Sequence, residues 1–210
     1  MSGEWYVRLI DTVAGTLGRH CDELDALDEA LGDGDHGRNM LAGIEAVQGE
    51  AAGIEALPLE AAMRRTALLF REHAGGAGGR YMASVVDAMA SAAPQGRPGA
   101  RELARMLEAG VERLRADGDV DVGMKTMFDV LQPLSDRLSR AIGQGHENGL
   151  DDLAISVCGH ALHRTSYMVP MRGKAAAMGD AGKGHIDPGA CSVALIVGAL
   201  VGELTRERQD

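Results

Sequence analysis

Aromatic residues are scarce in this sequence of 210 residues, which contains one Trp, three Tyr and two Phe. Aromatic and β-branched side chains are the residues that strands prefer. Alanine, leucine, glycine and methionine are plentiful instead, and side chains that are small or have no branch at Cβ suit closely packed helices. The composition therefore predicts helices in place of sheets.

Cysteine and positive charge are also in short supply. The three cysteines, Cys21, Cys158 and Cys191, are odd in number and lack Cys-x-x-Cys spacing, which predicts reduced thiols and no disulfide framework. A formal net charge of −10 argues against nucleic acid or an anionic membrane as the main partner. The first residues lack a secretion signal, and we expect no apolar stretch of membrane-spanning length, so the cytoplasm is the predicted location.

Several familiar catalytic motifs are missing. The sequence contains no Gly-x-x-x-x-Gly-Lys-Ser/Thr loop, no protein-kinase His-Arg-Asp loop and no Gly-x-Ser-x-Gly elbow. No segment of 20 to 50 residues repeats, which excludes a solenoid. A nucleotide site in this chain would need another design.

The segment from Leu27 to Met40 carries the clearest chemical pattern. It places Asp28, Asp33 and Asp35 within eight residues, and glycines lie between the last two and just before them. Residues two apart in an extended segment point to the same side, and glycine permits the tight turns that return Asp28 to the others. A few carboxylates suit Mg²⁺, which takes its remaining ligands from water and phosphate. The pattern predicts a Mg²⁺-nucleotide site facing a helix start.

Ordinary turns and helix caps are the alternative interpretation, because aspartate and glycine are common in both. A calcium loop of the EF-hand type is excluded. With Asp33 at its first position, Arg38 would occupy the position of the required glycine and Ile44 that of the bidentate acid.

The spacing of apolar residues predicts eight helices and no strand, in one domain over residues 1–210. Asp187 and Pro188 are expected at the N-cap and first position of the last helix. The predicted helices run approximately over Trp5 to Leu27, Gly37 to Gln48, Pro58 to His73, Tyr81 to Met89, Leu103 to Leu114, Lys125 to Gly143, Leu150 to Val169 and Pro188 to Leu204.

Glycine-containing loops precede four of these helices, at Gly37, Gly75 to Gly79, Gly123 and Asp187 to Gly189. If alternate helices begin at the same end of a bundle, these loops share one rim. Helix N-termini attract anions, so the rim is predicted to bind phosphates. Chain reversal or close helix contact is the alternative explanation for the glycines.

Four motifs together resemble the nucleotide-binding L subunit of dihydroxyacetone kinase: Gly32-Asp-Gly-Asp-His-Gly-x-Asn-Met, Gly75-Gly-Ala-x-Gly, Gly123-x-Lys-Thr-Met with Asp129, and Gly184-His-Ile-Asp-Pro-Gly-Ala. The resemblance implies an antiparallel barrel of eight helices. It further implies that Asp28, Asp33 and Asp35 hold two Mg²⁺ ions on the phosphates of ADP or ATP. The implied nucleotide pocket consists of His36, Gly37, Arg38, Asn39, Gly78, Gly79, Gly123, Thr126, Met127, Lys174, Asp187, Pro188 and Gly189.

In that family the sugar is bound by a separate K subunit, so the resemblance implies a K-type partner for this chain. The phosphoryl donor is either ATP or a phosphotransferase-system protein that recharges resident ADP, and a homodimer is possible. A nucleotide-sensing module without chemistry of its own is an alternative function. A fatty-acid-kinase-like domain is another, although His36 follows the second aspartate where that family generally has threonine.

The sequence departs from the family pattern in the segment Gly173 to Ala181. Lys174 and Ala181 stand where the family has arginines, and Ala177 replaces an aromatic residue. Gly78 stands where serine is usual, and Arg80-Tyr81 is atypical. Lysine does not reproduce the two-pronged contact of arginine with phosphate. These changes bear on nucleotide affinity, partner contact and the choice of ketose, such as a tetrulose.

Overall fold

A computed structural model describes residues 3–206 of the chain and places most of them in helices. Those residues contain no strand, so the predicted all-α class is confirmed. The helices are α1 (Glu4–Arg19), α2 (Cys21–Glu29), α3 (His36–Gly49), α4 (Ala51–Glu55), α5 (Leu59–His73), α6 (Gly76–Ser91), α7 (Ala100–Gly118), α8 (Phe128–Gly143), α9 (Leu150–Thr165), a 3-10 helix (Lys174–Gly182) and α10 (Pro188–Arg206).

Eight of the described helices form a closed ring. In the order α1, α3, α5, α6, α7, α8, α9 and α10 each helix packs against the next, and α10 packs back against α1. Short connections between most neighbours make them antiparallel. The predicted eight-helix barrel is therefore confirmed as an arrangement, with α2, α4 and the 3-10 helix as short additions in the described part of the chain.

The first predicted helix is divided in two. At His20 the backbone leaves the helical region, with φ −108° and ψ 11°, and α2 begins at the next residue. The apolar stripe continues across this break, since Leu17 and Leu24 are both fully buried. Periodicity alone therefore predicted one continuous helix.

Two other helix boundaries differ from the prediction. The helix expected from Lys125 begins at Phe128, because Lys125 has a positive φ of 62°. The helix expected to reach Val169 ends at Thr165. In both places the non-helical segment next to the helix contributes residues to the candidate site.

Helix α10 lies between the two large core clusters. Cys191 belongs to the cluster formed with α1 and α3, whereas Ala190 and Val193 belong to the cluster formed with α8 and α9. A helix with apolar neighbours on two sides needs apolar residues around much of its circumference.

By length and composition, α10 is also apolar enough to cross a membrane, with a mean hydropathy of 1.6 and a third (33%) of that window buried. The expectation that no apolar stretch reaches this length is wrong by that measure. Core helices pass the same test, and α10 contacts both core clusters.

Candidate functional site

One pocket of about 650 Å³ opens at the ring end where the glycine-containing loops meet. Its walls come from segments that are distant in sequence: the aspartate loop with the start of α3, the start of α6, the turn before α8, the segment before the 3-10 helix and the start of α10. The predicted residues in its lining are Asp28, Asp33, Asp35, His36, Asn39, Gly78, Thr126, Met127, Lys174, Asp187, Pro188 and Gly189.

The three aspartates converge at one edge of this pocket. Oxygen atoms of Asp28, Asp33 and Asp35 lie within 4.8 Å of one another. The amide of Asp35 donates to Asp28 Oδ2 at 3.0 Å, and Asn39 Nδ2 donates to Asp35 Oδ1 at 2.8 Å. These bonds hold two of the three carboxylates in place, so the cluster is organised as a set of hard oxygen donors.

Glycine is required at two places in the aspartate loop. A Cβ atom added to Gly32 would lie 2.7 Å from Asp28 Oδ1, within the space of the cluster. Gly34 has a φ of +71°, which side chains other than glycine rarely adopt. The tight loop predicted from the sequence therefore depends on both residues.

Lys174, the first residue of the 3-10 helix, reaches the same cluster. Its ammonium group donates a short hydrogen bond to Asp33. This contact lowers the pKa of Asp33 and raises the pKa of Lys174. Lys174 thus lies beside the candidate metal ligands, with most of its side chain (71%) exposed.

His36 has a defined hydrogen-bonding role in the pocket wall. Its Nε2 lies 3.1 Å from Ser192 Oγ, and Ser192 donates its own hydrogen to the carbonyl of Gly189 at 2.9 Å. Ser192 therefore accepts from Nε2–H, which leaves Nδ1 as the acceptor nitrogen of a neutral ring. Burial lowers the pKa of His36 and favours that neutral form.

The glycine-rich start of α6 lies directly against the α3 side chains of the pocket. A Cβ at Gly75 would lie 2.5 Å from Asn39 Oδ1, and one at Gly78 would lie 2.8 Å from His36 Cε1. The glycines therefore allow close backbone approach between α6 and α3.

The turn before α8 is held by two buried charged residues. Asp129 accepts from the amides of Gly123 at 2.6 Å and Thr126 at 2.8 Å. Lys125 donates to the carbonyl of Thr165 at 2.8 Å and to that of His185. Its burial lowers its pKa. Lys125 thus joins the turn to the end of α9 and to the segment before α10.

Asp187 caps α10, as predicted. Its Oδ2 accepts from the amide of Ala190 at 2.7 Å, and Pro188 occupies the first helical position. Desolvation of the carboxyl group raises its pKa to about 7, an effect that the capping amide and Lys125 only partly oppose. Asp187 is therefore a carboxyl group that titrates near neutral pH in the pocket wall.

Four residues implied by the family resemblance lie outside the pocket lining: Gly37, Arg38, Gly79 and Gly123. Gly37 packs against the backbone of Cys21, and Gly79 packs against Ala74. The amide of Arg38 donates to Asp25, so it is already used within the protein.

Other lining residues were not assigned to the site from the sequence: chiefly Arg80, Tyr81, Lys125 and Arg172. Lys125 lies in the Gly123-x-Lys-Thr-Met motif, so its position between a glycine and a threonine could have indicated that it belongs to the site. Arg172 precedes Gly173, but no local pattern indicated that it would line the pocket.

The donor set fits Mg²⁺ and a nucleotide phosphate chain. Mg²⁺ prefers oxygen ligands and takes one or two carboxylates together with substrate phosphates. The aspartates supply the carboxylates, and the adjoining pocket has backbone amides and cations at its wall. The other carboxyl group in the lining, Asp187, has a raised pKa and so carries less charge near neutral pH.

Similar proteins occur in several bacteria. The ADP-binding subunit DhaL of PEP-dependent dihydroxyacetone kinase 1 from Listeria innocua is 29% identical over 94% of this chain and 95% of its own length. Its counterpart from Escherichia coli is also 29% identical, over 84% of this chain and 85% of its own length. The L-erythrulose 1-kinase of Mycolicibacterium smegmatis is 30% identical over 95% of this chain but only 35% of its own length.

The fold also matches a solved structure. The native dihydroxyacetone kinase of C. freundii superposes with a TM-score of 0.71 at 25% identity, covering 93% of this chain and 34% of that one. This chain thus spans about a third of the longer kinases that it matches. The sequence model of the DAK2 domain matches residues 30–202. The resemblance to dihydroxyacetone kinase L subunits is confirmed, and the chain belongs to the DAK2 domain family.

Proposed function

We propose that this chain is the nucleotide-binding subunit of a dihydroxyacetone kinase-type complex. It binds Mg²⁺ with ADP or ATP and passes a phosphoryl group to dihydroxyacetone or a related short ketose held by a separate K-type subunit. The observation that carries this proposal is the convergence of Asp28, Asp33 and Asp35 at the edge of the rim pocket.

The negative charge of the site supports the proposal that it binds Mg²⁺. Three carboxylates within 4.8 Å repel a phosphate chain unless cations lie between them, and the chain as a whole carries a net charge of −10. Two Mg²⁺ ions would neutralise the cluster and bridge it to the phosphates. Phosphoryl transfer depends mainly on positioning and charge neutralisation, so such a site needs no protein nucleophile.

The nucleotide would lie against the remaining predicted residues. His36 and Asn39 from α3, Gly78 from α6, Thr126 and Met127 from the turn before α8, and Asp187 to Gly189 from α10 form the wall. Lys174 lies beside the aspartate cluster through its contact with Asp33. We also propose residues 1–210 as one domain, a cytoplasmic location and a possible homodimer.

A separate subunit for the sugar agrees with the chemistry of this chain. Burial raises the pKa of Cys158 and Cys191 to about 11, so neither thiol is a ready nucleophile. Ser192 is fully buried although it contacts His36. Mass spectrometry after incubation with dihydroxyacetone should show no stable adduct. A persistent adduct would contradict a sugar site on the partner alone.

The metal requirement is the first test. We expect calorimetry to detect ADP binding in Mg²⁺ and none with a chelator, because the carboxylates then face the phosphates directly. Asp33→Ala and Asp35→Ala should abolish binding while the helical circular dichroism is unchanged. Asp180→Ala, which changes an exposed aspartate paired with Lys183 outside the pocket, is the matched control. Parent-like ADP affinity in Asp33→Ala would refute the metal assignment.

Reconstitution tests the reaction itself. The protein is mixed with a K-type subunit, a ketose, Mg²⁺ and either ATP or a phosphotransferase-system donor. Phosphorylated ketose is the expected product, and comparison of dihydroxyacetone with erythrulose determines the acceptor. Tight nucleotide binding without transfer under any of these conditions would favour a nucleotide-sensing module.

A further inference from the structure

Arg172 forms part of the pocket wall and carries an unusual unpaired group. Its Nη2 donates to Asp119 Oδ2 at 2.6 Å and to the Asp119 carbonyl. Its Nε is buried and has no hydrogen-bond partner. Within residues 3–206 it is the one buried side-chain nitrogen or oxygen in that condition. A buried donor without an acceptor is costly, and such groups often indicate a missing ligand.

The surrounding contacts do not offset this cost. Asp119 is almost fully exposed (93%), and ion pairs at such positions contribute little to stability. Asp119 nevertheless holds the guanidinium group through Nη2, and Nε is left without an acceptor. The next residue, Gly173, has φ 62° and ψ −156°, a conformation that is essentially restricted to glycine. The backbone directly after Arg172 therefore adopts a conformation that requires glycine.

The other cations of the pocket differ from Arg172 in their partners. Lys125 is committed to two backbone carbonyls, and Lys174 is paired with Asp33. Arg80 also lines the pocket, but its side chain is exposed to solvent on α6. Arg172 combines an anchored guanidinium plane with a shielded, unpaired donor. An oxyanion with several acceptor oxygens is the natural partner for that arrangement.

We propose that Arg172 binds the terminal phosphate of the bound nucleoside diphosphate, and that this phosphate supplies the acceptor that Nε lacks. The assignment rests on the proposed function, since it requires a nucleotide in the rim pocket. Asp119 acts as a positioning residue that holds the guanidinium group through Nη2.

The test compares Arg172→Met with Lys183→Met, which removes the same charge at an exposed position outside the pocket lining. Binding of ADP in Mg²⁺ is measured by calorimetry, and that of AMP by displacement of a fluorescent ADP analogue. Arg172→Met should weaken ADP binding at least tenfold and change AMP binding less than threefold, because AMP has no second phosphate. Arg172→Lys should recover only part of the loss, and Lys183→Met should weaken ADP binding less than threefold.

Thermal unfolding separates a phosphate contact from a merely structural role. Without nucleotide, Arg172→Met should unfold at the parent temperature or slightly above it, since the unpaired donor is gone. A lower unfolding temperature would indicate a structural residue and would overturn the assignment, as would parent-like ADP affinity in this variant. If the parent itself binds no ADP in Mg²⁺, the proposed function fails together with this inference. If the parent binds ADP and the variant binds it equally well, only the inference fails.

Discussion

The structural role of Asp187 was predicted from the sequence, but its raised pKa was not. The Asp-Pro pair is sufficient to predict a helix cap, and the carboxylate does accept from the amide of Ala190. The burial that raises its pKa to about 7 arises from the closing of the ring around it. Local sequence contains no information about that environment.

This shift predicts a pH-dependent stability. The folded pKa of about 7 exceeds the ordinary value of 3.8, so the favourable contribution of protonated Asp187 is present below about pH 4 and is lost as the pH rises through 7. A full shift would correspond to roughly 4 kcal/mol, but Asp187 is partly exposed, and we expect about 1 to 2 kcal/mol. Asp187→Asn keeps a capping oxygen and cannot ionise.

Urea unfolding between pH 5 and pH 8 measures this effect in the nucleotide-free protein. The free energy of unfolding of the parent should fall relative to that of Asp187→Asn as the pH rises, so that the difference between the two proteins is larger near pH 8 than near pH 5. A constant difference between the two proteins across this range would show that Asp187 does not titrate as described.

At the scale of the helices, amphipathic spacing and terminal residues were sufficient for most of the fold. Helix α3 was expected from Gly37 to Gln48 and runs over His36–Gly49, because its apolar stripe and flanking turns agree. The break at His20 was missed because the apolar stripe continues through it. The short α4 and 3-10 helices were missed because five to nine residues carry too little periodicity.

Helix packing depends on a glycine that the periodicity does not single out. A Cβ at Gly43 of α3 would lie 2.8 Å from Ala74 Cβ and 2.8 Å from Phe70 Cε2, and both neighbours are buried. Gly43→Ala should therefore force α3 and α5 apart and lower the free energy of unfolding by about 1 to 3 kcal/mol.

The matched control is Gly159→Ala in the middle of α9, where nothing lies within 4 Å of the added Cβ. There alanine should stabilise the helix by roughly 0.5 to 1 kcal/mol. Both changes are measured by urea unfolding. Equal effects of the two substitutions would mean that close approach of α3 and α5 is not what Gly43 provides.

For the molecule as a whole, the motifs indicated which segments form the rim, and closure of the ring explains how they meet. Since α10 packs against both α1 and α9, the segment before α10 is brought to the aspartate loop and to the turn before α8. Lys125 secures this closure through carbonyls 40 and 60 residues away. Such long-range contacts, like the position of Arg172, are set by the closed ring and leave no local signal.

The segment around the 3-10 helix leads to a prediction about the phosphoryl donor. Lys174 and Ala181 replace two arginines of the family pattern, and Ala177 replaces an aromatic residue; all three side chains are exposed. Each lost charge-assisted contact removes about 1 to 3 kcal/mol of binding free energy. Differences of this size appear mostly as roughly ten- to hundredfold faster release. We therefore expect this protein to exchange its nucleotide, with free ATP as the donor.

The measurement is whether ADP accompanies the purified protein after dialysis in Mg²⁺. We expect less than stoichiometric ADP in the parent and slower release from Lys174→Arg/Ala181→Arg, which restores both guanidinium groups. Asp180→Arg, which adds positive charge in the same segment at an exposed position outside the pocket lining, is the control for a general charge effect. Stoichiometric ADP retained by the parent would contradict the prediction. It would favour a resident nucleotide recharged in place by a phosphotransferase-system protein, because a nucleotide that does not leave can accept a new phosphoryl group only where it is bound.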